Sequence, residues 1–302
     1  MRASAIGTTT VRRRPLKGRW RRYLTGYVLI APALVAAGLF LYVPIVLSGY
    51  WSLTEYSGLG EPEWVGLANY VELFGNELFL KALLNTFLFV LLGMGIGPVL
   101  GFLSALLLNS TVRFRGSFRA AYFIPVMTSL VVVATIWKIL LQEDGLINQI
   151  LSLFGLPGHP WLSDPTTALP SVVVTSIWQG FGFETVVFLA ALQGIPRELY
   201  DAAKVDGASY WQQVRHITLP AMRPTIMFVY IIGIIGSFQV YDQIFVMTDG
   251  GPINSTRTLV FDLVDRFQQL ELGEASAVAY VLLAILAVLS YVQIFVFERE
   301  RA

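Results

Sequence analysis

Six predominantly apolar stretches, at about 24–47, 82–108, 120–141, 170–193, 225–248 and 276–297, leave this chain few ways to fold. About 20 such residues in helical form span the roughly 30 Å of hydrocarbon in a bilayer. In hydrocarbon every backbone N–H and C=O must be bonded internally, so only helices or closed barrels cross. The stretches are apolar all round rather than alternating in segments of about ten residues, which predicts helices. The expected fold class is an all-α membrane protein with six transmembrane helices. Only 14% of the residues are charged, against roughly 25% in a soluble domain. The chain has no Cys, which excludes disulfides, thiolate metal sites and a lipid-modified cysteine anchor.

Orientation follows from where Lys and Arg fall. The N-terminal tail holds Arg2, Arg12, Arg13, Arg14, Lys17, Arg19, Arg21 and Arg22. The second connection holds Arg113, Arg115 and Arg119, the fourth Arg197, Lys204, Arg215 and Arg223, and the C-terminal tail Arg299 and Arg301. The other side keeps only Lys81, Lys138, Arg257 and Arg266 and carries Glu55, Glu61, Glu63, Glu72 and Glu77 in its first loop. Both termini are therefore expected in the cytoplasm. The organisation predicted is a basic cytoplasmic tail over 1–23, a six-helix domain over 24–297 and a short cytoplasmic tail over 298–302. The first apolar run exceeds the 7–15 residues of a signal-peptide core and has no convincing cleavage site after it, so it reads as a retained helix. The Arg run sets topology; nucleic-acid binding is the more elaborate explanation and is not adopted.

The first outer loop contains GLANYVELF, in which Leu67, Tyr70, Val71 and Phe74 share a helical face. Docking of an external protein and interfacial packing both account for such a face. Helix two carries Gly93, Gly97 and Gly101 at four-residue spacing, a ridge that lets another helix approach closely. Pro125 permits a kink in helix three, and Lys138 near its outer end can reach the interface as an anchor. His159 stands in a Pro- and Gly-rich outer connector with no second ligand nearby to suggest a metal.

Two polar clusters lie inside apolar runs. In helix four, Trp178, Gln179 and Glu184 accompany Gly180 and Gly182. Glu184 is about 20 Å in from the outer end at 1.5 Å per residue, a depth at which a carboxylate faces a cavity or a partner. In helix five, Gln239, Tyr241 and Asp242 follow Gly233 and Ser237; residues 239 and 242 fall on one face of a continuous helix. These six polar and aromatic residues are the candidates for a solute pathway, and structural hydrogen bonding between helices is the competing reading. Helix six has no ionisable residue over 276–297 and is assigned to packing.

One long polar island, 196–224, interrupts the apolar pattern on the cytoplasmic side. Pro196 suits a first helical position and Glu198 the positive end of a helix. Asp206-Gly207 is a stop signal. Ser209 with Gln212 three residues on forms a capping box for a second helix, which Pro220 closes. The prediction is helix, Gly turn, helix, able to transmit displacement into helix five. No phosphate loop G-x-x-x-x-G-K-[ST], no H-E-x-x-H and no G-x-S-x-G occurs in the chain, so neither nucleotide hydrolysis nor familiar catalysis is supported.

The island's spacing resembles a known motif. Asp201-Ala202-Ala203, three residues, Gly207, nine residues, Ile217, one residue, Leu219-Pro220 is similar to the E-A-A-x3-G-x9-I-x-L-P loop of the membrane subunits of bacterial binding-protein-dependent ABC importers, with Asp in place of the first Glu. VGLANYVELF, GLINQIL and FQVYDQIFVMTDGGPINST resemble the carbohydrate-uptake branch, the sugar and glycerol-phosphate type. The resemblance implies a second, similar permease, an ATPase dimer seated on this loop, and an external solute-binding protein. It also implies that ATP and Mg are used by the partner ATPase, with no cofactor bound by this chain, and that Asp201, Ala202, Ala203, Gly207, Ile217, Leu219 and Pro220 form the coupling loop.

Helices four and five offer carboxylates, amides and aromatic rings but no Lys, Arg or His at depth. A phosphate dianion would meet like charge there, whereas hydroxyls would find acceptors. A neutral mono- or oligosaccharide is therefore expected, with glycerol phosphate or another polar solute as the alternative. A secondary transporter using Glu184 or Asp242 as a proton or sodium site is a third reading.

Overall fold

A computed structural model describes residues 17–109 and 115–299. Arg2, Arg12, Arg13, Arg14, Arg113 and Arg301, on which part of the charge count rests, lie outside these described residues. By internal contacts the chain divides into Met1–Tyr50 and Trp51–Ala302.

The described part of the first unit is one run of helix: α1 (Lys17–Ala37), a π-helical turn (Gly38–Tyr42) and α2 (Val43–Trp51), the last residue of which falls in the second unit. The wide turn ends where the N–H of Val43 bonds the carbonyl of Gly38. Pro44 stands two residues past it, and since proline cannot donate to the residue four back, widening the preceding turn accommodates it without ending the helix.

The second unit opens on an antiparallel pair, β1 (Thr54–Glu55) with β2 (Glu63–Trp64), turned through Gly58 and Gly60 at positive φ. Then comes α3 (Ala68–Gly75), which buries Asn69 and Leu73. The Asn69 amide donates to the carbonyls of Ser52 and Thr54, each at 3.0 Å. Of the expected apolar face, Leu67, Val71 and Phe74 are exposed, whereas Tyr70 is half-buried against the core and donates its hydroxyl hydrogen to Ser52 Oγ at 2.8 Å.

Next, α4 (Glu77–Asn109) is followed by α5 (Arg115–Met127) and α6 (Leu130–Leu140). This pair corrects the single kinked helix expected over 120–141: the two segments meet at 105° across Thr128 and Ser129. Pro125 removes a hydrogen bond from the last turn of α5, and Ser129 leaves the helical region at ψ 135°. A short α7 (Leu146–Leu153) leads to α8 (Ala168–Gln193), straight through Gly180 and Gly182.

The island forms α9 (Arg197–Val205) and α10 (Tyr210–Gln213). Beyond a second π-helical turn (Val214–Thr218) runs α11 (Leu219–Phe238), so helix is continuous from Tyr210 to Phe238. Pro220 therefore does not close the second helix. It stands two residues past the wide turn, as Pro44 does, and is absorbed in the same way. The fifth helix, expected to reach 248, stops at Phe238, and α12 (Asp242–Met247) starts separately after three irregular residues. The connector beyond it holds an unforeseen helix, α13 (Leu259–Gln268), before α14 (Leu272–Arg299).

Among the described residues, five helices are long and apolar enough to cross a membrane, six if α5–α6 counts as one broken span. In the second unit, α4 and α8 form the most extensive helix pair. Three apolar clusters hold it together: Phe79, Met94, Phe238 and Val278; Phe89, Val172, Ile244 and Met247; and Ala105, Phe188, Leu192 and Met222.

Candidate functional site

A cavity of about 490 Å³ lies among α4, α8, α11 and the segment leading into α12, within the range of small-molecule sites. Its polar lining includes Gln179, Glu184, Gln239, Tyr241, Asp242 and Gln243, and no Lys, Arg or His is among the described residues around it. Five of the six sequence candidates thus converge. Trp178 does not: it is 41% exposed and meets Trp137 of α6 edge-on, with ring centroids 5.6 Å apart.

Glycine makes the cavity possible. A Cβ on Gly101 would stand 2.7 Å from Glu184 Cβ, and one on Gly97 would stand 3.3 Å from Glu184 Oε2. The glycine ridge of α4 is therefore the floor on which Glu184 lies, within one chain. Gly93, Gly180 and Gly236 line the cavity and have open space where a Cβ would be. Gly182 serves packing instead, since a Cβ there would collide with the carbonyl of Tyr122 on α5. Glu184 Oε2 is buried with no hydrogen-bond partner among the described residues, an arrangement that costs free energy unless a ligand or another chain supplies a donor.

The second cluster is arranged differently from expectation. Gln239 and Asp242 do not share a helix face, because the helix breaks between them: Gln239 ends α11, and Asp242 opens α12. Tyr241 stacks on Phe245 at 5.5 Å and packs near Phe261. Gln243 was missed; it is buried and donates from Nε2 to Gln179 Oε1 at 3.0 Å. Lys138 is more than an anchor, since its Nζ donates to the carbonyl of Val246 at 2.9 Å.

The helical hairpin follows the local chemistry of its sequence. Gly207, at φ +76°, takes the left-handed position after α9. Its N–H bonds the carbonyl of Lys204, and that of Ala208 bonds the carbonyl of Ala203, the two bonds of a Schellman motif. Ser209 then accepts from Gln212 N, and the Gln212 side chain accepts from Ser209 N at 2.7 Å. Pro196 stands at the N-cap of α9 rather than at its first helical position. Tyr200 hydroxyl meets Thr218 Oγ1 at 3.0 Å, tying α9 to the π-helical turn. Asp201, Ala202, Gly207, Leu219 and Pro220 are exposed, and Ala203 and Ile217 are half-buried.

Two ionic features of the connectors were also missed. Arg257 and Arg266 read from sequence as leftover charges, yet both are nearly buried around Asp262, which is 0% exposed. Arg257 Nη2 lies 2.8 Å from Asp262 and 2.5 Å from Asp265; Arg266 Nε lies 3.0 Å from Asp262, and its Nη1 also meets Glu274 of α14. The acidic residues at 262 and 265, one turn apart in an amphipathic stretch, were the available signal. In the second, His159 Nε2 lies 3.1 Å from Thr167 Oγ1 and 3.7 Å from Asp164 Oδ2. Hydrogen bonds from the Thr166 main chain and hydroxyl hold the neighbouring Asp164 carboxyl below its ordinary range.

Residues 97–299 match the family described as the binding-protein-dependent transport system inner membrane component. The lactose transport system permease protein LacF of Rhizobium radiobacter is 35% identical, covering 93% of this chain and 97% of its own. The trehalose/maltose transport system permease protein MalF of Thermococcus litoralis is 31% identical over 92% and 95%. Among solved structures, a bacterial ABC transporter involved in import of the acidic polysaccharide alginate contains a chain with TM-score 0.84 and 26% identity, covering 94% of this chain and 98% of that one.

Proposed function

This chain belongs to the family of binding-protein-dependent transport system inner membrane components, a multi-pass permease subunit of an ABC importer and not itself an enzyme, and we propose that it passes a neutral mono- or oligosaccharide through the cavity beside Glu184. The observation that carries the choice of solute is the lining: two carboxylates and three amides face the space, with no cation among the described residues. Hydroxyl groups can donate to the two carboxylates and to the Gln239 amide oxygen, whereas a phosphate would be repelled; the Gln179 and Gln243 amides are bonded to each other. The named relatives handle lactose and trehalose/maltose, which agrees in class. The alginate importer handles an acidic polymer, for which this lining is unsuited. Family membership takes the place of the ion-coupled alternative.

In the proposed arrangement both termini and the segment 196–224 face the cytoplasm, as the Lys and Arg bias requires. The exposed hairpin around Gly207 seats a separate ATPase dimer, which uses ATP and Mg, and Asp201, Ala202, Ala203, Ile217, Leu219 and Pro220 complete that coupling loop. A second permease and an external solute-binding protein complete the complex. Because Tyr210–Phe238 is one helix, movement of the hairpin is delivered to the cavity wall at Gly233 and Gly236 without an intervening joint.

Gly207→Pro tests the coupling. Proline fixes φ near −65° and cannot occupy a position at +76°, so ATPase association and uptake are expected to be lost while membrane insertion persists; normal uptake would refute the assignment. Glu184→Ala and Asp242→Ala are expected to raise the solute KM with ATPase assembly intact. Unaltered affinity and rate would place the solute contacts in the partner permease.

A further inference from the structure

Gln179 is only 7% exposed near the middle of α8 and touches two other segments. Its Nε2 donates to the carbonyl of Thr128 at 3.3 Å, and its Oε1 accepts from Gln243 Nε2 at 3.0 Å. Thr128 lies in the 105° break between α5 and α6, and Gln243 lies in the first turn of α12, just past the break after Phe238. One side-chain amide is thus bonded to the first break and to the helix that follows the second. A second tie, Lys138 Nζ to the Val246 carbonyl at 2.9 Å, joins α6 to the end of α12.

These breaks border the cavity. Thr128, Val240 and Tyr241 line it beside Gln179. Along α8, Gln179 is fourteen residues from Gln193, where the chain turns toward the hairpin, or about 21 Å at 1.5 Å per residue. The stitched breaks therefore form the wall on the side away from the hairpin, with Glu184 between. Irregular backbone at such depth is tolerated only where it is buried in protein or borders a cavity. A break is also where part of a span can swing without a helix being unwound. Here two breaks meet and are joined by side-chain hydrogen bonds, which exchange more readily than a packed helix pair can separate.

We propose that Gln179 is a positioning residue for transport: its amide clamps the α5–α6 break to α12 and closes the cavity at the end away from the hairpin, and solute enters there when the clamp releases. The proposal rests on the cavity being the solute path. It changes the role of Gln179 from solute contact to closure.

The test uses the whole complex, with its ATPase, partner permease and external binding protein, reconstituted in liposomes. Gln179→Leu keeps the bulk and removes both bonds. If the outward-open state is reached by releasing the clamp, ATP hydrolysis without the binding protein rises roughly fivefold to thirtyfold, the equilibrium shift of two lost hydrogen bonds, and the solute KM is unchanged. A raised KM with unchanged basal hydrolysis would make Gln179 a solute contact and overturn the proposal. Since the chain has no Cys, a Gln179→Cys, Gln243→Cys pair provides a second measurement should the Leu variant fail to assemble. Bridging the pair with a short bifunctional thiol-reactive disulfide reagent should stop uptake, and a reductant should restore it; full uptake in the bridged complex would overturn the clamp. Gly93→Leu fills open cavity space and separates the two readings. Normal uptake in that variant, with the bridged pair still blocked, would refute the solute path through this cavity and the entry of solute there, and would leave only release of the clamp as a conformational requirement of transport.

Discussion

Glu184 and Asp262 are both acidic residues withdrawn from water, and they are in opposite circumstances. Asp262 is held by two guanidinium groups, Arg257 and Arg266, with oxygens at 2.8 and 3.0 Å. Removing one member of such a group leaves buried charge uncompensated, at a cost of about 3–5 kcal/mol. Asp262→Ala is accordingly expected to lower the thermal midpoint of the purified complex by several degrees and to reduce its amount in the membrane; an unchanged midpoint would mean the network contributes nothing net. Glu184 Oε2 has no donor among the described residues, so the expectation reverses. Glu184→Gln, which keeps the shape over Gly97 and Gly101, should leave the midpoint unchanged or raise it while uptake falls. Sites that sacrifice stability in this way are where function is expected. A lowered midpoint in Glu184→Gln would show that the carboxylate is already satisfied in the assembled complex.

The elements divide into those written in local chemistry and those that are not. The hairpin was legible because its signals act within five residues: Asp206-Gly207 specified the Schellman turn, and Ser209 with Gln212 specified the capping box. The break between Phe238 and Asp242 was illegible because no Gly or Pro lies between them; Phe238 before it and Ile244 after it are buried in two different apolar clusters, a tertiary arrangement that no local pattern announces. Prolines misled in the opposite direction, since Pro220 reads as a terminator and is accommodated by a π-helical turn that no short-range pattern announces. Of the cavity, Glu184 was readable as a charge at depth, whereas Gln243 was not, because its role depends on a partner 64 residues away. The hairpin's stiffness has a measurable consequence. Tyr200→Phe removes the hydroxyl contact to Thr218 at a cost of about 1 kcal/mol. Uptake per ATP hydrolysed is expected to fall a few-fold with ATPase association unchanged, and an unaltered ratio would show that α9 does not need this tie to move the helix.

At the scale of the whole molecule, the number of crossings and the sidedness of the hairpin are one question. Ser57 lies in the loop after the first span and Ser209 in the hairpin. Between them are α4, the bent pair α5–α6, and α8. If the bent pair crosses the membrane, three spans separate the two serines and they lie on opposite sides. If the pair enters and returns, two spans separate them and they share a side. The charge bias favours crossing, because Arg197, Lys204, Arg215 and Arg223 follow α8, whereas Glu55, Glu61, Glu63 and Glu72 follow the first span. Coupling to a cytoplasmic ATPase requires it as well. Both serines are exposed, and with no Cys in the chain each can be converted to the sole thiol. A membrane-impermeant maleimide is expected to label Ser57→Cys in intact spheroplasts and Ser209→Cys only in inside-out vesicles. Labelling of both from one side would make α5–α6 re-entrant. Labelling of Ser209→Cys from outside would remove the hairpin from any cytoplasmic ATPase, and with it the path by which ATP hydrolysis reaches the cavity through Tyr210–Phe238.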